Sequence, residues 1–124
     1  MVIKGRVTSG SKEGAYFISK YRNKLVAALG FKPFPGTLNV EVPFPPKYPM
    51  KSNFISSFTE QGKEYGAVWC YPAVILNHKC AVIVPEFSHH GSKTVEIVSV
   101  HPMRTKFGLR DGDYVTIEIE EVEK

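Results

Sequence analysis

The chain has 124 residues, 43% of them hydrophobic and 23% charged, which suits one domain with a true core and argues against general disorder. No run of about 18 apolar residues could span a membrane, and the charged start Met1-Val2-Ile3-Lys4-Gly5-Arg6 lacks a signal-peptide core. Cys70 and Cys80 form neither a CxxC pair nor a zinc pattern, so a disulfide scaffold and a zinc module are disfavoured, and two buried thiols in a reducing cytoplasm are expected. Net charge is +4, but it is unevenly placed: residues 111–124 hold six acids and one base, and residues 1–110 hold 15 bases and six acids. A basic body suits a polyanionic partner such as a nucleotide, phosphate or nucleic acid, although an uneven soluble surface looks the same.

In chain order, residues 2–8 read as a strand and 9–14 as a polar loop, with 15–18 a short apolar strand. The helix signal runs over 20–29: Ser19 is a candidate N-cap, Gly30 a stop, and Tyr21, Leu25, Ala28 and Leu29 share one face. Pro33, Pro35 and Gly36 mark a turn before a strand at 37–42. Residues 43–52 are Pro-rich and read as an extended loop. Strands follow at 53–58, 65–71, 73–77 and 80–84, with turns at Gln61-Gly62-Lys63 and Asn77-His78-Lys79. A polar loop spans 85–93, and 94–98 is a strand. A short helix is expected at 102–107, stopped at Gly108, then an Asp111-Gly112-Asp113 turn and a last strand at 114–119. Residues 120–124 read as a frayed acidic tail. Many short strands with little helix predict a mainly β fold, a compact barrel in a single domain over 1–124.

Chemistry is legible at four places. In the 37–42 strand, Leu38, Val40 and Val42 point to the core, and Thr37 and Asn39 share the other face. A hydroxyl and an amide oxygen are hard, neutral ligands that suit Mg²⁺ when phosphates supply the charge; a plain polar face has the same pattern. Gly10 and Gly14 in Ser9-Gly10-Ser11-Lys12-Glu13-Gly14-Ala15-Tyr16 allow backbone N–H groups to approach an anion, without the spacing of a Walker loop or a Rossmann fingerprint. In His101-Pro102-Met103-Arg104, Pro102 suits a first helical position and Arg104 adds a fork of donors. Glu96 lies on an otherwise apolar strand, beside Thr94 and Val98 and opposite Val95 and Ile97, where it could serve as a base or a hydrogen-bond acceptor. His89 and His90 are adjacent, so they point to opposite sides of an extended chain, and a loop role is expected in place of metal binding. Tyr65, Trp69 and Tyr71 on alternate positions are expected in the core.

Taken in order, Gly5-x-Val7-x-Ser9-Gly10, Glu13-Gly14-x-Tyr16-Phe17-x-Ser19 and Leu29-Gly30-Phe31-x-Pro33-x-x-Gly36-Thr37-Leu38-Asn39 resemble the archaeal CTP-dependent riboflavin kinases, as do Glu96-Ile97, Arg104, Phe107, Leu109 and Asp111-Gly112-Asp113 downstream. The resemblance covers the chain from Val2 to about Ile119. It implies a small cradle-loop β-barrel with one or two helices that phosphorylates riboflavin to FMN with CTP as donor. It also implies Mg²⁺ on Thr37 and Asn39. The nucleotide would lie on Gly10, Ser11, Lys12, Glu13, Gly14, Ala15 and Tyr16 and on His101, Pro102, Met103 and Arg104, and the flavin on Ser88 and Glu96, with Glu96 as the candidate catalytic group. Ser11-Lys12 replaces a Leu-Gly-like pair of the family, and Ser88 stands for its Thr, so the departures bear on nucleotide preference. Some members carry an N-terminal DNA-binding domain, which this sequence is expected to lack. A monomer without membrane contact is expected. Two other readings fit the charge: a nucleic-acid-binding barrel, with strongly salt-dependent binding, and a flavin or nucleotide binder without turnover.

Overall fold

A computed structural model describes residues 1–10, 13–87 and 91–120. Among the described residues, nine strands and two helices follow one another as β1 (Val2–Thr8), α1 (Glu13–Leu29), β2 (Leu38–Glu41), β3 (Asn53–Ile55), β4 (Phe58–Glu60), β5 (Lys63–Tyr65), β6 (Val68–Ile75), β7 (His78–Pro85), β8 (Thr94–Val98), α2 (Met103–Phe107) and β9 (Tyr114–Ile119). Antiparallel pairing runs β6-β7-β8-β2-β1-β9 and closes through β6 and β9, which gives a six-stranded barrel. Closure pairs the six barrel strands on both sides over part of their length and leaves β3 as an outer edge on β6.

Strand β6 changes partner along its length. Val68 and Cys70 pair with β3, and Ala73 and Val74 pair with β9. Pro72 stands at the change, where a residue without an N–H is tolerated, and its carbonyl accepts from the Glu120 N–H at 2.9 Å. Glu120 is thus tied to the barrel; the rest of the acidic tail lies outside the described residues. The β6–β7 hairpin closes through Leu76 and Asn77, at φ of 50° and 65°, the twist that suits a two-residue hairpin turn. That turn lies one residue before the expected Asn77-His78-Lys79.

Strand alternation produces two cores. Inside the barrel, Val7, Leu38, Val40, Val82, Val95, Ile97 and Ile117 pack together. On the outer wall, Val68, Cys70, Ala81, Ile83 and Val98 are covered by Ile18, Tyr21 and Leu25 of α1. Tyr21 locks the helix in place: its hydroxyl donates to the Gly66 carbonyl at 2.8 Å, and its ring stacks on Phe17 and meets Phe58 and Tyr65 edge-on.

The single helix α1 replaces an expected strand at 15–18 and an expected N-cap at Ser19. Gly14, Ile18, Tyr21 and Leu25 form its buried stripe, while Ala15 and Tyr16 are exposed. A run of four apolar residues carries no period of its own, and the helical stripe through it decides. Ser19 sits inside the helix and donates back to the Tyr16 carbonyl at 2.7 Å. Gly30 ends the helix at φ 80°, as expected. The expected 53–58 strand is split between β3 and the separate β4–β5 hairpin, and the expected 65–71 and 73–77 strands are largely the one strand β6. Trp69 is a correction to the core: it is half exposed beside Phe54, with ring centroids 5.5 Å apart, whereas Tyr65 and Tyr71 are buried.

Candidate active site

Strands β2 and β8 pair antiparallel with Asn39 opposite Glu96, both on the outer wall because Leu38, Val40, Val95 and Ile97 turn inward. Thr37, just before β2, donates through Oγ1 to Glu96 Oε2 at 3.4 Å. Three oxygen-bearing side chains from two strands therefore share one patch of wall. Glu96 is half-buried and Asn39 is buried at 5% exposure.

The end of β1 and the start of α1 cover this patch. A Cβ added to Gly10 would lie 1.8 Å from Asn39 Nδ2, and one added to Gly14 would lie 2.6 Å from Thr37 Oγ1. Both glycines are required by close approach: any side chain would displace the backbone from the two polar residues. The same cover strips water from Asn39, whose Oδ1 is buried without a hydrogen-bond partner. A buried orphan acceptor is costly and calls for a ligand. Hydroxyl, amide and carboxylate oxygens are the donor set for a hard cation such as Mg²⁺, so the residues present fit that ion. Among the described residues no group of three or more His, Cys, Asp and Glu is placed to hold a metal.

Beside the patch a cleft of about 240 Å³ is lined by Thr37, Leu38 and Gly36 on one side and His101, Pro102, Met103 and Arg104 on the other. The segment singled out at 101–104 thus faces Thr37, the same residue that Gly14 approaches. Pro102 is the residue before α2, one position earlier than expected, and α2 itself ends at Gly108 with φ 64°. The Ser99 hydroxyl accepts from the His101 N–H at 3.2 Å, and the His101 ring meets His78 edge-on.

Arg104 does not hang free in the cleft. Its Nη2 donates to the Thr8 carbonyl at 3.1 Å and forms a close ion pair with Asp111 Oδ1. The other oxygen of Asp111 accepts from Ser9 Oγ at 2.6 Å. These two donors, Ser9 first and Arg104 second, hold the Asp111 carboxyl below the usual range. The sequence places Asp111 in a turn and among the residues of the family resemblance, without a partner for its side chain. An acid followed by Gly112 signals a turn, and nothing local says which distant groups it meets.

Tyr16 is placed elsewhere. It lies about 200° around the helix from Gly14, where its hydroxyl accepts from Lys63 Nζ of β5 at 3.1 Å. That bond lowers its phenol below the ordinary value. Gly10, Gly14, Thr37, Asn39, Glu96 and the 101–104 segment are brought together, and Tyr16 is not among them. Ala15 is exposed on α1, and the Glu13 backbone opens that helix. Ser11, Lys12, Ser88, His89 and His90 lie outside the described residues.

Comparison with known proteins points one way. A family model, CTP-dep_RFKase, described as a domain of unknown function (DUF120), matches residues 7–119. A riboflavin kinase of Thermococcus kodakarensis is 38% identical over 123 residues, covering 95% of this chain and 58% of that protein. A riboflavin kinase of Methanospirillum hungatei is 36% identical over 129 residues, with 96% and 58% covered. One from Ignicoccus hospitalis is 38% identical over 124 residues, with 93% and 69% covered. The chain thus spans little more than half the length of the first two relatives.

Proposed function

Because the chain belongs to the CTP-dependent riboflavin kinase family, we propose that it transfers the γ-phosphoryl group of CTP to the ribityl 5′-hydroxyl of riboflavin, giving FMN and CDP, with Mg²⁺ as the metal. The observation that carries this reading is the buried, unpartnered Asn39 Oδ1 beside Thr37 and Glu96, roofed by Gly10 and Gly14.

Thr37 and Asn39 would hold Mg²⁺ through their side-chain oxygens. When bound, the ion neutralises charge on the phosphate oxygens. The chain's own residues position the reactants. Backbone N–H groups at Gly10 and at the N-terminal end of α1 offer donors and a favourable dipole to the phosphates. His101, Pro102, Met103 and Arg104 close the nucleotide site from across the cleft, and Arg104 adds positive charge where charge develops. Glu96 orients the ribityl hydroxyl and accepts its proton as the 5′-oxygen bonds to the γ-phosphorus and the bond to the β-phosphate oxygen breaks. The family resemblance adds Ser88 as a second residue for the flavin. The Thr37 hydroxyl, by donating to Glu96, keeps that carboxylate oriented beside the metal ligands.

The test is chromatographic: wild-type protein with riboflavin, CTP and Mg²⁺ produces FMN, and Asn39→Ala produces little. Equal FMN from both proteins would remove the metal assignment. A folded wild type that makes none would remove the kinase reading.

A further inference from the structure

The two segments of the nucleotide site are far apart in sequence, and one carboxylate joins them. Asp111 accepts from Ser9, 102 residues away, through one oxygen, and pairs with Arg104, seven residues away, through the other. Its own place is fixed independently. The Gly112 N–H donates to the Val7 carbonyl and the Val7 N–H donates to the Asp113 carbonyl, both at 2.7 Å. Asp113 Oδ2 then accepts from the Arg110 N–H at 2.8 Å, which closes the turn on itself. The 110–113 turn is therefore pinned to the end of β1, immediately before Gly10 meets Asn39.

The contacts of Arg104 are also one-sided. Both use Nη2, so Nη1 and Nε have no protein partner among the described residues. One edge of the guanidinium is tethered to Thr8 and Asp111, and the remaining donors belong to a residue that lines the cleft. Asp111 and Arg104 are both exposed, with side chains 58% and 42% accessible. Ion pairs so exposed contribute little to folding, so stability does not account for a carboxylate that joins Ser9 and Arg104. Pre-orienting a phosphate-binding fork does.

We infer that Asp111 is a positioning residue for the nucleotide: it holds Arg104 and the Ser9-Gly10 stretch after β1 in one geometry, so that the phosphates meet both at once. This rests on the nucleotide reading of those segments. The Asp111 side chain acts only through Ser9 and Arg104.

The experiment measures CTP affinity by calorimetry with Mg²⁺, and KM for CTP and for riboflavin in FMN formation, for wild type, Asp111→Asn and Ser9→Ala. Thermal unfolding is recorded for each. Asp111→Asn keeps the shape and removes the charge. It is expected to weaken CTP binding and raise KM for CTP by about tenfold, with KM for riboflavin and the unfolding midpoint unchanged. Ser9→Ala, which breaks one of the two tethers, is expected to show a smaller effect of the same kind. Unchanged CTP affinity in Asp111→Asn, from a wild type that binds CTP, would overturn the positioning role and leave the kinase reading intact. Equal rises in both KM values, or a fall in the unfolding midpoint that accounts for the loss, would overturn it as well. A wild type that binds no CTP would overturn both.

Discussion

Gly10 lies so close to Asn39 that a β-carbon on it would sit 1.8 Å from Nδ2. The amide is thereby sealed against the wall of the barrel and its Oδ1 is left without a partner. Gly10→Ala must push the end of β1 away from Asn39. Displacements of about 1 Å at a reacting site can cost about 100-fold in rate, so kcat/KM for CTP is expected to fall on that order. Wild-type kinetics in Gly10→Ala would show that the close approach does not matter.

Asn39 separates stability from function. Its buried Oδ1 costs about 1–3 kcal/mol while unpaired. Asn39→Leu, close in shape and apolar, is expected to keep or raise the unfolding midpoint while abolishing FMN formation. It should also erase any midpoint increase that Mg²⁺ and CTP give the wild type. A destabilised Asn39→Leu would mean that the side chain is satisfied in the protein.

The helix that delivers Gly14 is held by burial of its inner stripe. Leu25 is fully buried against the outer wall of the barrel. Leu25→Ala is expected to cost about 2–5 kcal/mol in urea unfolding. A loss below about 1 kcal/mol would show that the aromatic cluster around Tyr21 alone holds α1 in place.

The two thiols set an alkaline limit. Burial pushes Cys70 and Cys80 up to about 12 from an ordinary 9.0, because the thiolate is desolvated. The folded state thus favours the protonated form. Stability from these groups is complete below pH 9 and declines between pH 9 and 12 as the unfolded thiols ionise first. Both cysteines should resist a thiol reagent at pH 8 in the native protein and react fully in denaturant. Fast native labelling of either would contradict the packing.

Much of this was legible in the sequence where local rules dominate. The strands at 2–8 and 94–98 follow from alternation, and the Gly30 and Gly108 stops follow from left-handed backbone. Thr37, Asn39 and Glu96 could be singled out because polar residues on apolar strands stand out. Their meeting depends on the β2–β8 register, which no spacing within either strand encodes. The start of α1 was hidden because Ala15, Tyr16, Phe17 and Ile18 read as a strand when the stripe from Gly14 to Leu25 is not yet known. Trp69 was misplaced because β6 serves both the closed barrel and the exposed β3 edge. The reach of Asp111 to Ser9 is tertiary and leaves no local mark.

The most direct measurement follows the phosphate itself. Wild-type protein is incubated with riboflavin, Mg²⁺ and γ-labelled CTP, with γ-labelled ATP in a parallel tube, and the flavins are separated. Label appearing in FMN from CTP, and little from ATP, is the predicted result. Label in FMN from both would keep the transfer and remove the donor preference. No labelled FMN from either, with folded protein, would contradict the account and direct attention to salt-dependent oligonucleotide binding by the basic body.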